Sequence, residues 1–187
     1  MPSFPHLGEP LGGPAVQLRL AAERDIPEIL IAHQDDPELY RRLGQRRPPS
    51  GAELGRRIDE GPADRAAGTA VWLTIVAAGS DDCIGQLDAR GVDWDHGRAD
   101  LGMWMAPAQR GRGLGTQALR LTAHWLLEKC GLERVQLLTD PDNVPMLRAS
   151  RAAGFADEGV LRSFLREHGR RVDVTVLSLV TADLVPQ

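Results

Sequence analysis

The chain has 187 residues, of which 42% are hydrophobic and 26% charged, a composition typical of a globular domain rather than a disordered or fibrous chain. Its net charge of −4 argues against a dedicated nucleic-acid-binding protein, and its apolar runs are too short to cross a bilayer. The N-terminus lacks the pattern of a signal peptide. We therefore expect a cytoplasmic protein with neither membrane nor nucleic-acid partners.

The two cysteines give no sign of a metal site. Cys83 and Cys130 form no Cys-x-x-Cys pair, and their spacing suits no zinc site. Reduced thiols are the simplest interpretation, and we expect no bound metal.

The first part of the chain combines short strands with helical segments. Residues 1–15 are rich in Pro and Gly and lack periodicity, which predicts a flexible tail or a lid ahead of a single domain at 16–187. Alternation and apolar runs predict strands, and an acidic start followed by apolar residues predicts helices. The strands are predicted at 16–20, 70–78, 83–91 and 98–105, two helices broken near Pro37 at 25–43, and a short helix at 52–58.

The second part begins with a glycine-rich loop. Apolar residues then recur at helical spacing from Leu114 to Cys130, and Gly131 follows as a C-cap signal. The remaining elements are predicted as a strand at 134–139, a helix at 143–153, and a hairpin of strands 160–167 and 172–180 around a His168-Gly169 turn. Together they predict an α/β (α+β) fold with a central, mostly antiparallel sheet and helices on both faces.

The glycine-rich loop at residues 110–116 joins a strand to a helix. A helix N-terminus presents unpaired N–H groups, and glycines let an anion approach them, so the loop suits a phosphate or pyrophosphate. Its spacing matches neither a Walker loop, because Thr116 and Gln117 follow Gly115, nor the G-x-G-x-x-G of a dinucleotide site. A glycine-rich surface turn without a ligand is the alternative.

Three motifs in order resemble the GNAT superfamily of N-acetyltransferases. The run from Ala99 to Thr116 resembles the family's central motif, whose signature Gln/Arg-x-x-Gly-x-Gly/Ala is matched by Arg110, Gly113 and Gly115. Residues 143–155 resemble its Asn-(x)10-Gly-Phe element. The segments 159–162 and 173–174 resemble the branch that acetylates N-termini of ribosomal proteins, although Met146 stands where that branch commonly has Ser.

The resemblance implies a GNAT-like fold and a site for acetyl-CoA as co-substrate. In the family, the strand before the glycine loop splays from its neighbour, its backbone pairs with the pantetheine arm, and the loop binds the pyrophosphate. The implied cofactor-binding residues are Met103, Trp104, Met105, Arg110, Gly111, Arg112, Gly113, Leu114, Gly115, Thr116 and Asn143.

Two residues are candidates for proton transfer. Asp100 occupies the strand position where many family members have a catalytic carboxylate, and a structural ion pair with Arg98 or Arg90 is the alternative. Ser150 stands where many members have a Tyr acid, and a small residue for close helix packing is the alternative. Asn143 also suits a helix N-cap. His33 and His96 lie near predicted loops on the acceptor side, where a solvated side chain is expected and a catalytic role is the alternative.

We expect direct transfer of acetyl from acetyl-CoA to a primary amine, either a protein N-terminus or a small molecule. No acyl-enzyme is expected, since no nucleophile–base motif is present. Two alternatives stay open: an enzyme for another acyl-CoA such as succinyl-CoA, and a non-catalytic acyl-CoA-binding sensor. The expected partners are the coenzyme A thioester and the acceptor amine, and a homodimer is compatible with the sequence.

Overall fold

A computed structural model of the chain describes residues 3–167 and 169–184, and all structural statements refer to these. The strands are β1 (Leu11–Gly12), β2 (Val16–Leu20), β3 (Val71–Ala77), β4 (Cys83–Asp93), β5 (Arg98–Met105), β6 (Arg134–Thr139), β7 (Ala156–Glu167) and β8 (Arg170–Val180). They form one sheet in the order β1-β2-β3-β4-β5-β6-β8-β7. Neighbouring strands are antiparallel except β5 and β6, which are parallel.

Helices cover both faces of this sheet. They are α1 (Ile26–Asp35), α2 (Leu39–Arg42), α3 (Gly51–Ala67), α4 (Leu114–His124), which continues as a π-helical turn (Trp125–Lys129), and α5 (Val144–Ala152). The helices α4 and α5 pack on one face, and α1 and α3 pack on the other. The predicted fold class is confirmed.

The main core lies between the sheet and α4. Leu73 on β3, Leu87 on β4 and Leu119 on α4 are all almost completely buried in it. A smaller cluster on the opposite face joins Ile29 of α1 to Leu54 of α3 and to Trp104. Side chains alternate along a strand, so Asp100, Gly102 and Trp104 of β5 face α1 and α3.

A buried carboxylate holds the start of α1 against the sheet. Asp25 is 1% exposed, and its oxygens accept hydrogen bonds from Arg19 (2.6 Å), Thr74 (2.6 Å) and the Ala22 N–H (2.9 Å). Burial alone would raise the pKa of Asp25, but these donors hold it below its usual value. The group therefore ties the α1 segment to β2 and β3.

Helix α3 is much longer than the predicted helix at 52–58. It begins with a capping box in which Ser50 Oγ accepts from the Glu53 N–H and Glu53 Oε2 accepts from the Ser50 N–H. It continues through Pro62 and ends at Gly68, which has a φ of +70°. Residues 59–67 contain no large apolar side chain whose spacing could signal the longer helix.

Residues 3–15 lie against the domain rather than extending from it as the predicted flexible tail. Phe4 is 7% exposed, and its ring stacks on Trp125 with centroids 5.9 Å apart. Gln117 Oε1 accepts the N–H groups of Ala15 and Val16, both at 2.9 Å. Phe4 is a lone aromatic residue in a segment without apolar periodicity, so the sequence gives no sign that its side chain is buried.

The other predicted elements agree with the structure to within a few residues. The last hairpin is present as β7 and β8, although His168 of its predicted turn lies outside the described residues. Within the described ranges, no helix combines the length and apolar character needed to cross a membrane.

Candidate active site

A gap opens between the two parallel strands at the centre of the sheet. β5 and β6 pair from Arg98 opposite Arg134 to Leu101 opposite Leu137. Beyond that point, residues 102–105 pair only with β4, and residues 138–139 pair only with β8. The facing backbone edges are thus left without a strand partner. Because backbone N–H and C=O groups need partners, an extended ligand can bind there as an added strand would.

The glycine loop lies at the end of β5 and begins α4. Gly111 and Gly113 both have a φ of +75°, and no atom lies within 4 Å of a Cβ added at either residue. The first helical N–H with an acceptor is that of Gln117, which donates to Gly113 O at 3.1 Å. The N–H groups of residues 114–116 precede it and have no acceptor one turn back. This arrangement suits an anion.

Gly115 also packs closely against β5, and its role toward coenzyme A stays a prediction. A Cβ at this residue would lie 3.1 Å from Met103 Cε and 3.4 Å from Met105 Cγ. The absence of a side chain therefore lets the first turn of α4 approach β5 closely. This packing sets the distance between the loop and the open strand edge.

The side chain of Arg110 is engaged within the protein. Its Nη1 lies 2.7 Å from Asp36 Oδ2, and its Nε donates to the Met105 carbonyl at 3.0 Å. Burial would raise the pKa of Asp36, but the hydrogen bond and the charge of Arg110 hold it below its usual value. Arg112 is exposed and donates only to Gln109, at 3.2 Å. Of the two arginines, Arg112 therefore has the less constrained guanidinium.

Asp100 is held by a neighbouring amide. Its Oδ1 accepts a hydrogen bond from Gln136 Nε2 at 2.7 Å, and the two residues are opposite each other in the β5–β6 register. The proposed ion-pair partners have other contacts: Arg98 donates to Asp93 at 3.2 Å, and Arg90 lies 3.3 Å from Asp88. The role of Asp100 as a base stays a prediction.

Helix α5 carries the other two candidates. Asn143 is its N-cap, as expected, with Oδ1 accepting from the Met146 N–H at 3.3 Å and Nδ2 donating to Thr139 Oγ1 at 3.2 Å. Ser150 is fully buried, and its hydroxyl donates to the Met146 carbonyl at 2.9 Å. Both side chains are thus engaged locally, and their roles toward coenzyme A and sulfur stay predictions.

The sequence analysis missed a carboxylate on the face that carries Asp100. Asp88 of β4 is opposite Gly102 in the β4–β5 register. Its Oδ2 is buried and makes no hydrogen bond to any described group. Burial raises the pKa of Asp88 to about 6, although the charges of Arg90 and Arg57 oppose this. The signal in the sequence was a single acidic residue inside an otherwise uncharged run, Ile84 to Ala89.

The expectation for His33 was wrong, because the residue lies within α1 and is 6% exposed. Its ring is 6.3 Å from that of Trp104, and burial lowers its pKa. His96 is exposed, as expected, with Nδ1 3.0 Å from Asp93 Oδ2. His33 is buried because it lies on the face of α1 that packs on the sheet. The sequence of one short helix does not show which of its faces will be covered.

A cavity of about 440 Å³ lies beside the gap, between β6, β7 and β8. Its wall is polar at Gln136 and at the ion pair of Arg134 with Glu158. It is apolar at Leu138, Val160 and Phe164. Gln136 also contacts Asp100, so the cavity and the candidate carboxylates share one face of the sheet.

Neither cysteine is a good nucleophile in this structure. Burial raises the pKa of Cys83 to about 12 and that of Cys130 to about 12, so both are protonated thiols near neutral pH. Among residues 3–167 and 169–184, no group of three or more His, Cys, Asp or Glu side chains could hold a metal ion.

The chain thus combines a strand gap, a glycine loop that suits an anion and a face that carries two carboxylates. The model of the acetyltransferase (GNAT) domain family matches residues 16–156, so the chain belongs to the GNAT acetyltransferases. The resemblance seen in the sequence is confirmed, and the chain is an enzyme of the acyltransferase class.

The chain is also similar to curated relatives in sequence and to solved structures in fold. The chain is 26% identical over 159 residues to the uncharacterized N-acetyltransferase p20 of Bacillus licheniformis, covering 84% of this chain and 89% of p20. A Salmonella typhimurium acetyltransferase described as modifying the N-terminal serine of ribosomal protein L7/L12 superposes with a TM-score of 0.81 at 18% identity, covering 92% and 99% of the two chains. Mycobacterium smegmatis RimJ in complex with CoA-disulfide superposes with a TM-score of 0.77 at 22% identity, covering 96% and 92%.

Proposed function

We propose that the protein transfers an acetyl group from acetyl-CoA directly to a primary amine. The observation that carries this proposal is the separation of β5 from β6 after Leu101 and Leu137, directly before the glycine loop. The extended arm of the thioester can pair with an open strand edge, and its pyrophosphate can bind free N–H groups. The chain has the open edge of β5 and, directly after it, the loop at the start of α4.

Coenzyme A would then bind along β5 and across the start of α4. The open edge of residues 103–105 would pair with the pantetheine arm, and the N–H groups of the loop at 110–116 would receive the pyrophosphate. Arg112 supplies an exposed positive charge beside the loop. Asn143 lies at the start of α5, which contacts α4 through the Arg120–Ala152 hydrogen bond of 2.6 Å.

The chemistry needs a proton acceptor and no covalent intermediate. The amine must lose a proton before its nitrogen can attack the thioester carbon, and thiolate is a fair leaving group unaided. A carboxylate on the α1–α3 face is the natural acceptor, and Asp100 is the candidate from the sequence. Ser150 is the candidate hydrogen-bond donor to the leaving sulfur. The raised pKa values of both cysteines, about 12, support direct attack.

The acceptor amine would enter from the face opposite α4. The cavity between β6, β7 and β8 adjoins Gln136 and combines an apolar wall with the Arg134–Glu158 pair. Several structural neighbours are described as acetyltransferases of ribosomal proteins, which makes a protein N-terminus the leading acceptor class. A reaction on such an acceptor would take place in the cytoplasm.

The test is thiol release from acetyl-CoA by the purified protein. The panel would contain peptides that start with Ser or Ala, small primary amines including an aminoglycoside, and the same peptides with blocked N-termini as controls. We expect binding of acetyl-CoA in calorimetry, thiol release with at least one free amine, and one added acetyl group by mass spectrometry. Tight binding without release from any amine would contradict the proposal, as would faster turnover with succinyl-CoA.

A further inference from the structure

Asp88 occupies space that a side chain at Gly102 would take. The two residues are paired in the β4–β5 register, and Gly102 is the first residue of β5 beyond its pairing with β6. A Cβ added at Gly102 would lie 2.8 Å from Asp88 Oδ1 and 3.3 Å from Asp88 Cγ. The glycine therefore leaves room for the carboxylate to lie over the strand at the point where the gap opens.

This carboxylate has no satisfactory partner within the described structure. Asp88 Oδ2 is buried without a hydrogen bond, and the contact of 3.3 Å with Arg90 Nη1 lacks hydrogen-bonding geometry. Trp72, its register partner on β3, has a buried indole Nε1 that also lacks an acceptor. Buried polar groups almost always find partners, so an unmatched donor and acceptor on adjacent strands point to a ligand or solvent between them.

Asp100 differs from Asp88 in this respect. Its Oδ1 is occupied by the Gln136 amide at 2.7 Å, and that amide also lies beside the cavity. Asp100 therefore has a positioning task already, namely to orient Gln136. Of these two carboxylates, Asp88 is the one with a buried oxygen that accepts no hydrogen bond.

The charged surroundings leave Asp88 able to take up a proton near neutral pH. Burial raises its pKa to about 6, and the opposing charges come from Arg57 on α3 and Arg90 on its own strand. Asp100 on β5, His33 on α1 and Cys83 on β4 also lie on this face. Strand β3 contributes Trp72 and Thr74, and Thr74 leads to the ion pair of Asp25 with Arg19. A base of this kind is mostly ionised at pH 7 yet holds a proton far better than an exposed Asp.

We propose that Asp88 is the catalytic residue that accepts the proton of the acceptor amine. This inference rests on the proposed function. The ammonium group gives one proton to the Asp88 carboxylate, and the neutral nitrogen attacks the thioester carbon. The C–N bond forms, the C–S bond breaks, and the second proton of the nitrogen ends on the departing sulfur as the thiol of coenzyme A. Asp88 then returns its proton to solvent.

The experiment compares Asp88→Asn with Asp93→Asn, which makes the same change on the same strand at a residue paired to Arg98 and away from the gap. The acceptor is the panel amine that the wild type acetylates fastest. We expect Asp88→Asn to lower kcat/KM by about 10²–10⁴-fold at pH 6–7, with partial rescue as the pH rises and unchanged acetyl-CoA affinity. Asp93→Asn should keep the wild-type profile.

A second variant disturbs the Asp88 carboxylate through a substitution on the neighbouring strand, β5. Gly102→Ala places a Cβ within 2.8 Å of Asp88 Oδ1 and should displace the carboxylate, so turnover should fall while acetyl-CoA still binds. An active wild type whose Asp88→Asn and Gly102→Ala variants keep its rate and pH profile would overturn the role of Asp88 and leave acetyl transfer intact. The role of Asp88 would also be overturned if Asp100→Asn, rather than Asp88→Asn, removed the fall in rate at low pH. A wild type that neither binds acetyl-CoA nor releases thiol would contradict both proposals.

Discussion

The guanidinium of Arg110 and the carboxylate of Asp36 lie 2.7 Å apart, and this ion pair connects the end of α1 to the loop before α4. The Asp36 side chain is only 11% exposed, so the pair is shielded from solvent. Arg110 also donates to the Met105 carbonyl at 3.0 Å, which fixes the end of β5 in the same contact. One side chain thus positions the loop relative to the strand edge and the acceptor side.

We expect Asp36→Ala to weaken acetyl-CoA binding measurably in calorimetry. Hydrogen bonds to charged groups contribute about 1.5–3 kcal/mol to stability, and part of that loss should appear as loop disorder. Because the pKa of Asp36 is depressed, its contribution is present above the ordinary Asp pKa and is lost as the pH falls through the lower folded value. Asp35→Ala is the control, since Asp35 is an exposed neighbour. Equal affinities in the two variants would contradict this role.

A matched pair of glycine variants tests the anion site. Gly113 and Gly131 have φ values of +75° and +74°, and neither has an atom within 4 Å of an added Cβ. Valine should therefore strain both backbones similarly, but only Gly113→Val should block an anion at the start of α4. We expect the Kd for acetyl-CoA to rise at least about tenfold, or 1.4 kcal/mol, in Gly113→Val alone. Similar affinities in both variants would place the pyrophosphate elsewhere.

The sequence predicted the elements whose signals are local. Strand alternation, the glycine loop and the Asn143 cap all depend on residues close together in the chain. The Arg110–Asp36 pair depends on the packing of distant elements, so the motif match could not show where the Arg110 side chain points. Asp88 was missed for a related reason. Alternation assigns it to a face, but only the register opposite Gly102 shows that this face meets the gap.

Turnover should survive without either cysteine. The pKa values of Cys83 and Cys130, both about 12, leave almost no thiolate at neutral pH, so neither thiol should carry the acetyl group. We expect the Cys83→Ala/Cys130→Ala variant to keep most of the wild-type kcat, with some loss of stability from the buried Cys83 site. An inactive but folded double variant, together with an acetylated cysteine in the wild type by mass spectrometry, would show an acyl-enzyme instead.

Ser150→Ala should have a smaller effect than loss of the base. The hydroxyl is fully buried and donates to the Met146 carbonyl, and alanine fits the same space. Thiolate leaves readily, so the loss in kcat should stay below the roughly 10²–10⁴-fold expected for an essential acid, with acetyl-CoA affinity nearly unchanged. A loss within that larger range, in a variant with normal acetyl-CoA binding and melting temperature, would make Ser150 the acid of the reaction.

Asp88 should also lower the stability of the protein at neutral pH, as expected for a residue retained for catalysis rather than packing. Its folded pKa of about 6 exceeds the ordinary Asp value of 3.8, because burial penalises the charge. The folded state therefore binds more protons than the unfolded state between these values, and stability falls as the pH rises through this window and is level above it. The shift corresponds to on the order of 3 kcal/mol. Asparagine keeps the shape without the charge.

We therefore expect the unfolding free energy of Asp88→Asn, relative to wild type, to rise between about pH 4 and pH 7 and then stay constant. Denaturant titrations of both proteins at several pH values measure this difference, in which the contributions of all other titrating groups largely cancel. In the same variant, the rate should no longer show the fall near pH 6 that protonation of Asp88 causes in the wild type. A variant that is less stable than wild type at pH 7 would show that Asp88 has a stabilising partner, and the carboxylate would then be structural.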